Sequence, residues 1–212
     1  MLEIELAGER VSLLPQKALW WPAQKTLMIA DVHWGKGGHF RKHGIALPMR
    51  TGQANETRLA ALIRNHDAER LIIAGDLFHS ADNAEVENFT HWRAAHSGLH
   101  IDFVVGNHDI LRLERYEAWG LTLHPHTLEL SPFLIAHDCV ESNLFVIHGH
   151  IHPGVRVNGR GRAGVAVSCF AQDANRMILP AFGAFTGNYY LRVEDFEKMY
   201  AVAEEEVIQL RF

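Results

Sequence analysis

Four short polar clusters in this sequence each follow an apolar, β-branched run, at the point where a buried strand would end. They are Asp31 with His33, Gly75-Asp76, Gly106-Asn107-His108-Asp109 and Gly149-His150-Ile151-His152. Carboxylate and amide oxygens mixed with imidazole nitrogens suit divalent ions such as Mn²⁺, Fe²⁺ and Zn²⁺. Paired thiolates, the usual ligands of a structural zinc knuckle, do not lie near these clusters. The residue types therefore indicate a catalytic metal site.

The spacing of these residues is compatible with two ions. Asp31 and His33 stand two apart at a strand end, so we expect their side chains to point the same way and bind one ion. His150 and His152 repeat this arrangement. The single carboxylate of Asp76 can bridge two ions roughly 3.5 to 4 Å apart, a separation at which a hydroxide held between them can attack phosphorus in line.

The third cluster adds a ligand and a candidate acid. Asn107 can offer its side-chain carbonyl oxygen to the second ion, so His108 need not be a ligand. Beside a metal-bound phosphoester, His108 is placed to give a proton to the leaving oxygen, with Asp109 orienting its ring. This combination predicts hydrolysis of a phosphoester.

A parallel sheet would bring these clusters together. Short buried runs at residues 27–30, 71–74 and 101–105 alternate with segments of helical spacing, one after Pro48 and one at 84–95. Strands that alternate with helices predict a parallel sheet. The carboxyl ends of its strands lie at one edge, where open α/β folds bind ligands. We therefore expect Asp31, Asp76 and Asn107 to converge.

The second half of the chain has a different pattern. Closely spaced strands are expected at 127–130, 133–137, 144–148, 164–169 and 176–179, followed by a short helix from Val193 and an edge strand at 207–210. We predict that these strands are antiparallel and form a second sheet packed on the first. No linker rich in proline, glycine or serine separates the halves, so residues 1–212 are predicted to be a single domain.

The net charge and the apolar segments limit the binding partners and the cellular location that we expect for this protein. A formal net charge of -5 argues against a broad basic face that coats nucleic acid, so any phosphate binding must be local. No apolar run is long enough to span a bilayer, and no membrane partner is expected. Glu3 and Glu5 stand where a signal peptide would carry basic residues. These features predict a cytoplasmic protein.

In this order, the motifs Asp-x-His, Gly-Asp, Gly-Asn-His-Asp, a single His at His137 and Gly-His-x-His resemble the calcineurin-like metallophosphoesterase superfamily. The resemblance covers Asp31 to His152. It implies an α/β fold of two mixed β-sheets packed face to face and flanked by helices. It also implies two divalent metal ions, for which Mn²⁺ is the first expectation and Fe²⁺ or Zn²⁺ are compatible.

The resemblance also implies a role for each matching residue. The first ion would be held by Asp31, His33, Asp76 and His152, and the second by Asp76, Asn107, His137 and His150. His108 matches the catalytic histidine of the family. The assignment of His137 rests on the resemblance, since the residue before it is Ala136 and not a glycine.

Two further stretches resemble nucleases of the superfamily. The second motif of the nuclease subunit of the double-strand-break repair complex is similar to Gly75-Asp76-Leu77-Phe78-His79. Most phosphatases of the superfamily have Asp or Asn at the position of His79. His79 could bind a metal ion directly, or it could contact the substrate phosphate or one of the metal-binding residues. We favour the second role because the first ion already has four ligands. The opening Asp31-Val32-His33-Trp34-Gly35-Lys36 most resembles the bacterial ligase-associated DNA damage response endonucleases.

Basic residues on both sides of the motifs favour an extended anionic substrate. Lys36, Arg41 and Lys42 follow the first motif, and Arg156, Arg160 and Arg162 follow the last. Trp34 could stack on a base. The predicted function is a phosphodiesterase, a DNA endonuclease in repair, with a metal-bridging hydroxide as nucleophile.

Other interpretations stay open from the sequence. By resemblance, the partners could include a DNA-repair helicase or ligase. One alternative keeps the metals but takes a small phosphoester, either a cyclic nucleotide or a phosphomonoester. Another is an inactive interaction scaffold, although His108 and Asp109 argue against it because a scaffold needs no proton donor.

Overall fold

The computed structural model describes residues 1–34, 53–78, 83–158, 164–184 and 186–211. Its first sheet has the strand order β1 to β7. The strands are β1 (Leu2–Leu6), β2 (Glu9–Leu14), β3 (Ala18–Trp21), β4 (Thr26–Ala30), β5 (Arg70–Ala74), β6 (His100–Val104) and β7 (Thr122–His124). Strands β1 to β4 pair antiparallel, whereas β4 to β7 pair parallel. The predicted parallel sheet is confirmed, and β7 is a strand that was not predicted from the sequence.

Helices cover the outer face of this first sheet. They are α1 (Gln53–Asn65), α2 (Asn83–Ala95) and the short α3 (Leu113–Ala118). Leu59 of α1, Phe89 of α2 and Tyr116 of α3 pack in one buried cluster with apolar side chains of the sheet. The two predicted helical segments are confirmed over these bounds, and Pro48 lies outside the described residues. None of the helices in the described ranges is long and apolar enough to cross a membrane.

The second sheet has the order β14-β11-β12-β13-β10-β9-β8, and β15 joins β12 to β16. Its strands are β8 (Thr127–Leu130), β9 (Phe133–Ala136), β10 (Phe145–His148), β11 (Pro153–Asn158), β12 (Gly164–Gln172), β13 (Arg176–Ile178), β14 (Tyr189–Tyr190), β15 (Lys198–Val202) and β16 (Val207–Gln209). A 3₁₀ turn spans Val193–Asp195, where a short helix was expected.

The prediction that this sheet is antiparallel is wrong for its centre. Strand β10 pairs parallel with both β9 and β13. The segment 137–144 is long enough to return along the sheet, so β9 and β10 run in the same direction rather than forming a hairpin. Both strands therefore end at the same edge, and the residues that follow them, from His137 and from Gly149, lie close together there.

The two sheets pack face to face around a common core. Met28, Ile72 and Val104 of the first sheet are buried against a group of side chains on the second sheet that includes Phe133 and Ile147. Because side chains alternate along a strand, the other residues of β4 to β6 face the helices. This packing places the carboxyl ends of β4, β5 and β6 opposite those of β9 and β10.

A cluster of ion pairs around the buried Asp102 joins the parallel strands β5, β6 and β7. Asp102 accepts a hydrogen bond from Arg70 Nε at 2.6 Å, and Nε2 atoms of His100 and His124 lie 3.0 and 2.8 Å from its carboxylate. Burial disfavours the charged carboxylate, but hydrogen bonds from Arg70 and His124, with the charges of Arg70 and His100, outweigh it and lower the pKa of Asp102.

We expect Asp102→Asn to lower the free energy of unfolding at pH 7 by about 2 kcal/mol. This is less than for a fully buried pair, because Arg70 is partly exposed. A lowered carboxyl pKa gives stabilisation that is present above the unfolded-state pKa of about 4 and is lost as the pH falls through the folded-state pKa. Urea unfolding of both proteins at neutral and at acid pH measures the difference. An effect of equal size at both pH values would contradict the ion-pair explanation.

Candidate metal centre

Five of the predicted ligands lie in the short segments that directly follow strands. Asp31 and His33 follow β4, Asp76 follows β5, and His150 and His152 follow β10. All five have a left-handed backbone, with φ of +52°, +45°, +51°, +68° and +52° respectively. This conformation is costly for residues other than glycine, and it is concentrated at functional sites. Their convergence therefore depends on left-handed residues beyond the strands, and not on the extended alternation that the spacing suggested.

The glycine of each motif makes room for a side chain from a different motif. A Cβ added at Gly75, Gly106 or Gly149 would lie 2.0 Å from Nδ1 of His137, 2.3 Å from Oδ1 of Asp76 or 2.6 Å from Oδ2 of Asp31, respectively. No Cβ can approach so closely without a shift of the neighbouring group. The three glycines thus allow the motifs to pack into one site.

The first ligand cluster consists of Asp31, His33 and His152. Their ligand atoms all lie within 4.8 Å of one another. His152 Nε2 is 3.4 Å from Asp31 Oδ1 and 3.5 Å from His33 Nε2. Asp31 and His33 are buried, and the carboxylate of Asp31 also accepts a hydrogen bond from the backbone N–H of His150. One carboxylate and two imidazoles therefore face a common point.

The second ligand cluster consists of Asp31, Asp76 and His137, with ligand atoms again within 4.8 Å of one another. His137 Nδ1 lies 3.2 Å from the carbonyl oxygen of Ala74. A proton on Nδ1 can donate to that oxygen, which leaves the lone pair of a neutral ring on Nε2. Asn107 Oδ1 at 2.8 Å, His150 Nδ1 at 3.1 Å and Asp76 Oδ1 at 3.5 Å surround this Nε2 atom.

The donor set of both clusters fits divalent cations. Carboxylate and amide oxygens and imidazole nitrogens, most of them lone-pair acceptors, converge within hydrogen-bonding distance of one another. Placed together without a cation, such groups repel, and burial strengthens the repulsion. Ions held between them would turn that repulsion into attraction, and oxygen with imidazole ligands suits Mn²⁺, Fe²⁺ or Zn²⁺.

Asp31 is the residue that both clusters share. The expected bridge, Asp76, belongs to the second cluster, where its Oδ1 atom also accepts a hydrogen bond from the backbone N–H of His108 at 3.0 Å. The division of ligands between two ions, with Asp76 as the bridge, stays a prediction.

His108 lies on the open side of this centre. Its side chain is exposed, as is that of Asn107, and its ring centroid is 5.9 Å from that of His33. The hydrogen bond to Asp76 holds its backbone beside the ligands. An imidazole in this position can reach a substrate that enters from solvent.

Asp109 has a different environment from the one predicted. Its carboxylate is buried and accepts hydrogen bonds from four backbone N–H groups, those of Gly106 and Asp76 on Oδ2 and those of Leu77 and Phe78 on Oδ1. Burial, together with the negative charge of Asp76, raises the pKa of Asp109 to about 7, although hydrogen bonds from the backbone N–H groups of Gly106, Phe78 and Asp76 lower it. These contacts tie the loop after β5 to the loop after β6. The role of Asp109 in orienting His108 stays a prediction, and its contacts assign it a positioning role for both loops.

A family model described as calcineurin-like phosphoesterase matches residues 24–169, more than half of the chain and all of the predicted ligands. The chain belongs to the calcineurin-like phosphoesterase family. Members of this family are metal-dependent hydrolases of phosphoester bonds, and the chain is therefore such an enzyme. The fold class predicted from the sequence, two mixed sheets in an α/β sandwich, is confirmed.

A solved structure resembles this calcineurin-like phosphoesterase over its full length. The nuclease MPE of Pseudomonas putida is 30% identical, with 99% of both chains covered and a TM-score of 0.82. This neighbour is consistent with the resemblance to the ligase-associated DNA damage response endonucleases. The protein of unknown function AQ665 from Aquifex aeolicus is 16% identical over 65% of this chain and 82% of its own, with a TM-score of 0.42, too low to support an inference. No curated protein matches the chain.

Replacing Asp109 in this phosphoesterase tests its positioning role. We expect Asp109→Ala to lower the free energy of unfolding by roughly 3 kcal/mol, because four backbone N–H groups would lose their acceptor in a buried place. Asp109→Asn keeps one oxygen and should cost about half as much. Urea unfolding of the three proteins gives these values. Equal stability of the alanine variant and the wild type would show that the loops do not depend on this carboxylate.

Several residues singled out in the sequence lie outside the described residues. They are His79 and the basic residues Lys36, Arg41, Lys42, Arg160 and Arg162. The suggestion that Trp34 stacks on a base is wrong, because its side chain is only 3% exposed and packs edge-on against Phe89 and Trp92. The Trp34 ring is part of the buried apolar cluster between the helices and the first sheet.

A polar pair on α1, the buried Asn55 and the partly buried Arg58, supports the metal centre and was not predicted from the sequence. Asn55 Oδ1 accepts hydrogen bonds from the backbone N–H of Ala184 and from Arg58. Arg58 also donates to the carbonyl oxygen of Phe182 and lies 4.1 Å above its ring. The next backbone N–H, of Gly183, donates to the carbonyl oxygen of Asp31 at 3.0 Å. Asn55 and Arg58 are three residues apart and so lie on one helix face, which could have indicated that they act together. The spacing does not indicate which residues they contact.

Proposed function

We propose that this calcineurin-like phosphoesterase is a dinuclear-metal phosphodiesterase that cleaves DNA. The observation that carries the proposal is the pair of ligand clusters, joined through Asp31, with the imidazole of His108 on their open side. The full-length similarity to a nuclease supports a nucleic-acid substrate.

The proposed metal ligands are Asp31, His33, Asp76, Asn107, His137, His150 and His152. When bound, two divalent ions would neutralise the phosphate charge and activate a water molecule as the nucleophile. The carbonyl oxygen of Ala74 sets the tautomer of His137, so that Nε2 can act as the ligand. The N–H of His150 on Asp31 orients the carboxylate shared by the two clusters.

His108 is the proposed general acid. As the bond between phosphorus and the leaving oxygen breaks, that oxygen gains negative charge and needs a proton. The protonated imidazole can supply it from the open side of the centre, and the hydrogen bond from the His108 backbone to Asp76 keeps the ring close to the reacting group. The proposed role of His79 is to contact the phosphate.

A substrate panel with several ions tests the proposed function. We expect the protein loaded with Mn²⁺ to hydrolyse single-stranded DNA and a chromogenic phosphodiester faster than a phosphomonoester, and a chelator to abolish all three activities. Fe²⁺ and Zn²⁺ are tested in parallel because affinity alone does not select the physiological ion. Faster hydrolysis of a monoester or a cyclic nucleotide would replace the DNA substrate with a small phosphoester, and no activity with any ion would leave the scaffold interpretation.

The basic residues that follow the last motif in the sequence allow a test of DNA against a small substrate. We expect Arg160→Ala with Arg162→Ala to raise the KM for DNA about tenfold, since each lost phosphate contact weakens binding of a polyanion, while a small chromogenic diester is cleaved as before. Arg10→Ala, at an exposed position on β2, is the matched control. An equal effect on both substrates would argue against an extended DNA contact.

The proposed biological role is DNA repair, with a helicase or a ligase as partner and the cytoplasm as location. Copurification of such a protein with the tagged enzyme, and sensitivity of a deletion strain to DNA damage, would test this role.

A further inference from the structure

The strand β14 forms the outer edge of the second sheet and carries two exposed aromatic residues. Tyr189 is 67% exposed and Tyr190 is 43% exposed. The other two tyrosines, Tyr116 and Tyr200, are each at most 1% exposed. Large exposed aromatic side chains at successive positions of an edge strand are a common feature of binding surfaces.

This edge is directly continuous with the metal centre. The backbone N–H of Tyr189 donates to the carbonyl oxygen of His152 at 2.9 Å, and His152 belongs to the first ligand cluster. Two residues further on, the N–H of Leu191 donates to the carbonyl oxygen of Gly154 at 2.9 Å. The tyrosines are therefore held by two backbone hydrogen bonds within a few residues of the ligands.

A tight contact with the neighbouring strand fixes the position of β14. Gly154 of β11 pairs with Tyr190, and a Cβ added at Gly154 would lie 2.6 Å from Cβ of Asn188. Asn188 in turn accepts a hydrogen bond from the hydroxyl of Ser168 on β12. Because the strand is held in place before a ligand arrives, little conformational freedom is lost when a ring is covered.

A cation accompanies the aromatic rings. The guanidinium of Arg156, on β11, lies 4.9 Å from the centroid of the Tyr190 ring, and its side chain is exposed. Stacked aromatic and guanidinium groups beside a phosphate-cleaving site match the chemistry of unpaired nucleotides, whose bases offer flat faces and whose backbone is anionic. A duplex keeps its bases stacked and presents no such faces.

We propose that the edge formed by Tyr189, Tyr190 and Arg156 binds unpaired nucleotides of the substrate strand next to the phosphodiester that is cleaved. The tyrosine rings stack on bases, and Arg156 pairs with a backbone phosphate. Neighbouring residues of a strand point to opposite faces of the sheet. The two rings therefore contact different nucleotides, one on each face of the edge strand. This inference rests on the proposed function.

Cleavage of a single-stranded oligonucleotide by the double variant Tyr189→Ala, Tyr190→Ala tests the proposal. We expect the KM to rise by roughly 10- to 100-fold, in line with the loss of base stacking, with kcat changed less than about twofold. The rate on a small chromogenic diester should not change. The double variant with phenylalanine keeps both aromatic faces and should retain the wild-type KM, and Ile208→Ala, at an exposed position on β16, is the matched control.

An oligonucleotide with abasic sugars around the cleaved bond shows whether stacking is responsible. Without bases there, the alanine variant and the wild type should cleave it with the same KM. An unchanged KM on the normal strand, or an equal rise on the abasic strand, would overturn the proposal.

Binding without turnover separates this inference from the proposed function. In the presence of a chelator, fluorescence anisotropy with labelled single-stranded DNA should show weaker binding by the alanine variant than by the wild type. If the wild type binds in this way but cleaves no phosphodiester, the proposed function fails and the binding surface stands. If it cleaves DNA and both proteins bind equally, only the binding surface is wrong.

Discussion

Replacing Asp76 with asparagine is expected to lower kcat/KM for a phosphodiester on the order of 10³-fold. The Asp76 carboxylate lies in the second ligand cluster, 3.5 Å from Nε2 of His137, and it holds the backbone of His108. An amide offers one neutral oxygen in place of a charged group, which removes about 4 kcal/mol of charge stabilisation from the transition state. Steady-state kinetics with saturating Mn²⁺ measures the loss.

Metal content and stability distinguish a lost ligand from a misfolded variant. We expect Asp76→Asn to bind fewer ions per chain than the wild type, and the added metal to raise its Tm less. Without metal, the variant should be as stable as the wild type or more stable, because one charge is removed from a group of buried carboxylates that repel one another. Asp67→Asn, in an exposed loop, is the matched control. Full activity with two bound ions in Asp76→Asn would exclude the bridging role.

Replacing His108 with alanine is expected to lower kcat for DNA by roughly 10² to 10⁴-fold, the range for loss of a general acid. Metal content should stay the same, because the His108 side chain lies outside both ligand clusters in the structure. The backbone N–H that donates to Asp76 is retained in the variant, so the ligands keep their positions. The loss should therefore appear in kcat and not in metal affinity.

The choice of leaving group shows whether His108 acts as an acid. A nitrophenolate leaves without a proton, so the His108→Ala variant should cleave a nitrophenyl diester with little loss, while DNA, whose leaving oxygen is an alkoxide, is cleaved far more slowly. His91→Ala removes an exposed histidine on α2 and should leave both rates unchanged. An equal loss on both substrates would indicate that His108 binds the phosphate instead.

The amino-acid sequence was sufficient to predict the parallel half of the fold. Buried runs that end in polar residues mark β4, β5 and β6, and helical spacing between them makes these strands parallel. The carboxyl ends of parallel strands meet at one edge, so the sequence alone predicts that Asp31, Asp76 and Asn107 lie close together. These inferences depend on burial and period, which are local properties of the chain.

The direction of the strands in the second sheet could not be predicted from local sequence patterns. The close spacing of strands β9 and β10 predicts antiparallel pairing, yet they are parallel, and this direction brings His137 and His150 to one edge. Antiparallel strands would have placed them at opposite edges. Strand direction depends on how the segment between two strands packs against the rest of the molecule, and spacing alone does not report that.

The contacts between motifs were also decided by the tertiary structure. Gly75 leaves space for His137, a residue from the other sheet, and Asp109 accepts N–H groups from the loop after β5. Trp34 is buried, whereas Tyr189, with no motif around it, lies beside His152. The sequence by itself determined which side chains can bind metal and which strand ends carry them. Their convergence, and the exposed surface beside them, depend on packing between residues far apart in the chain.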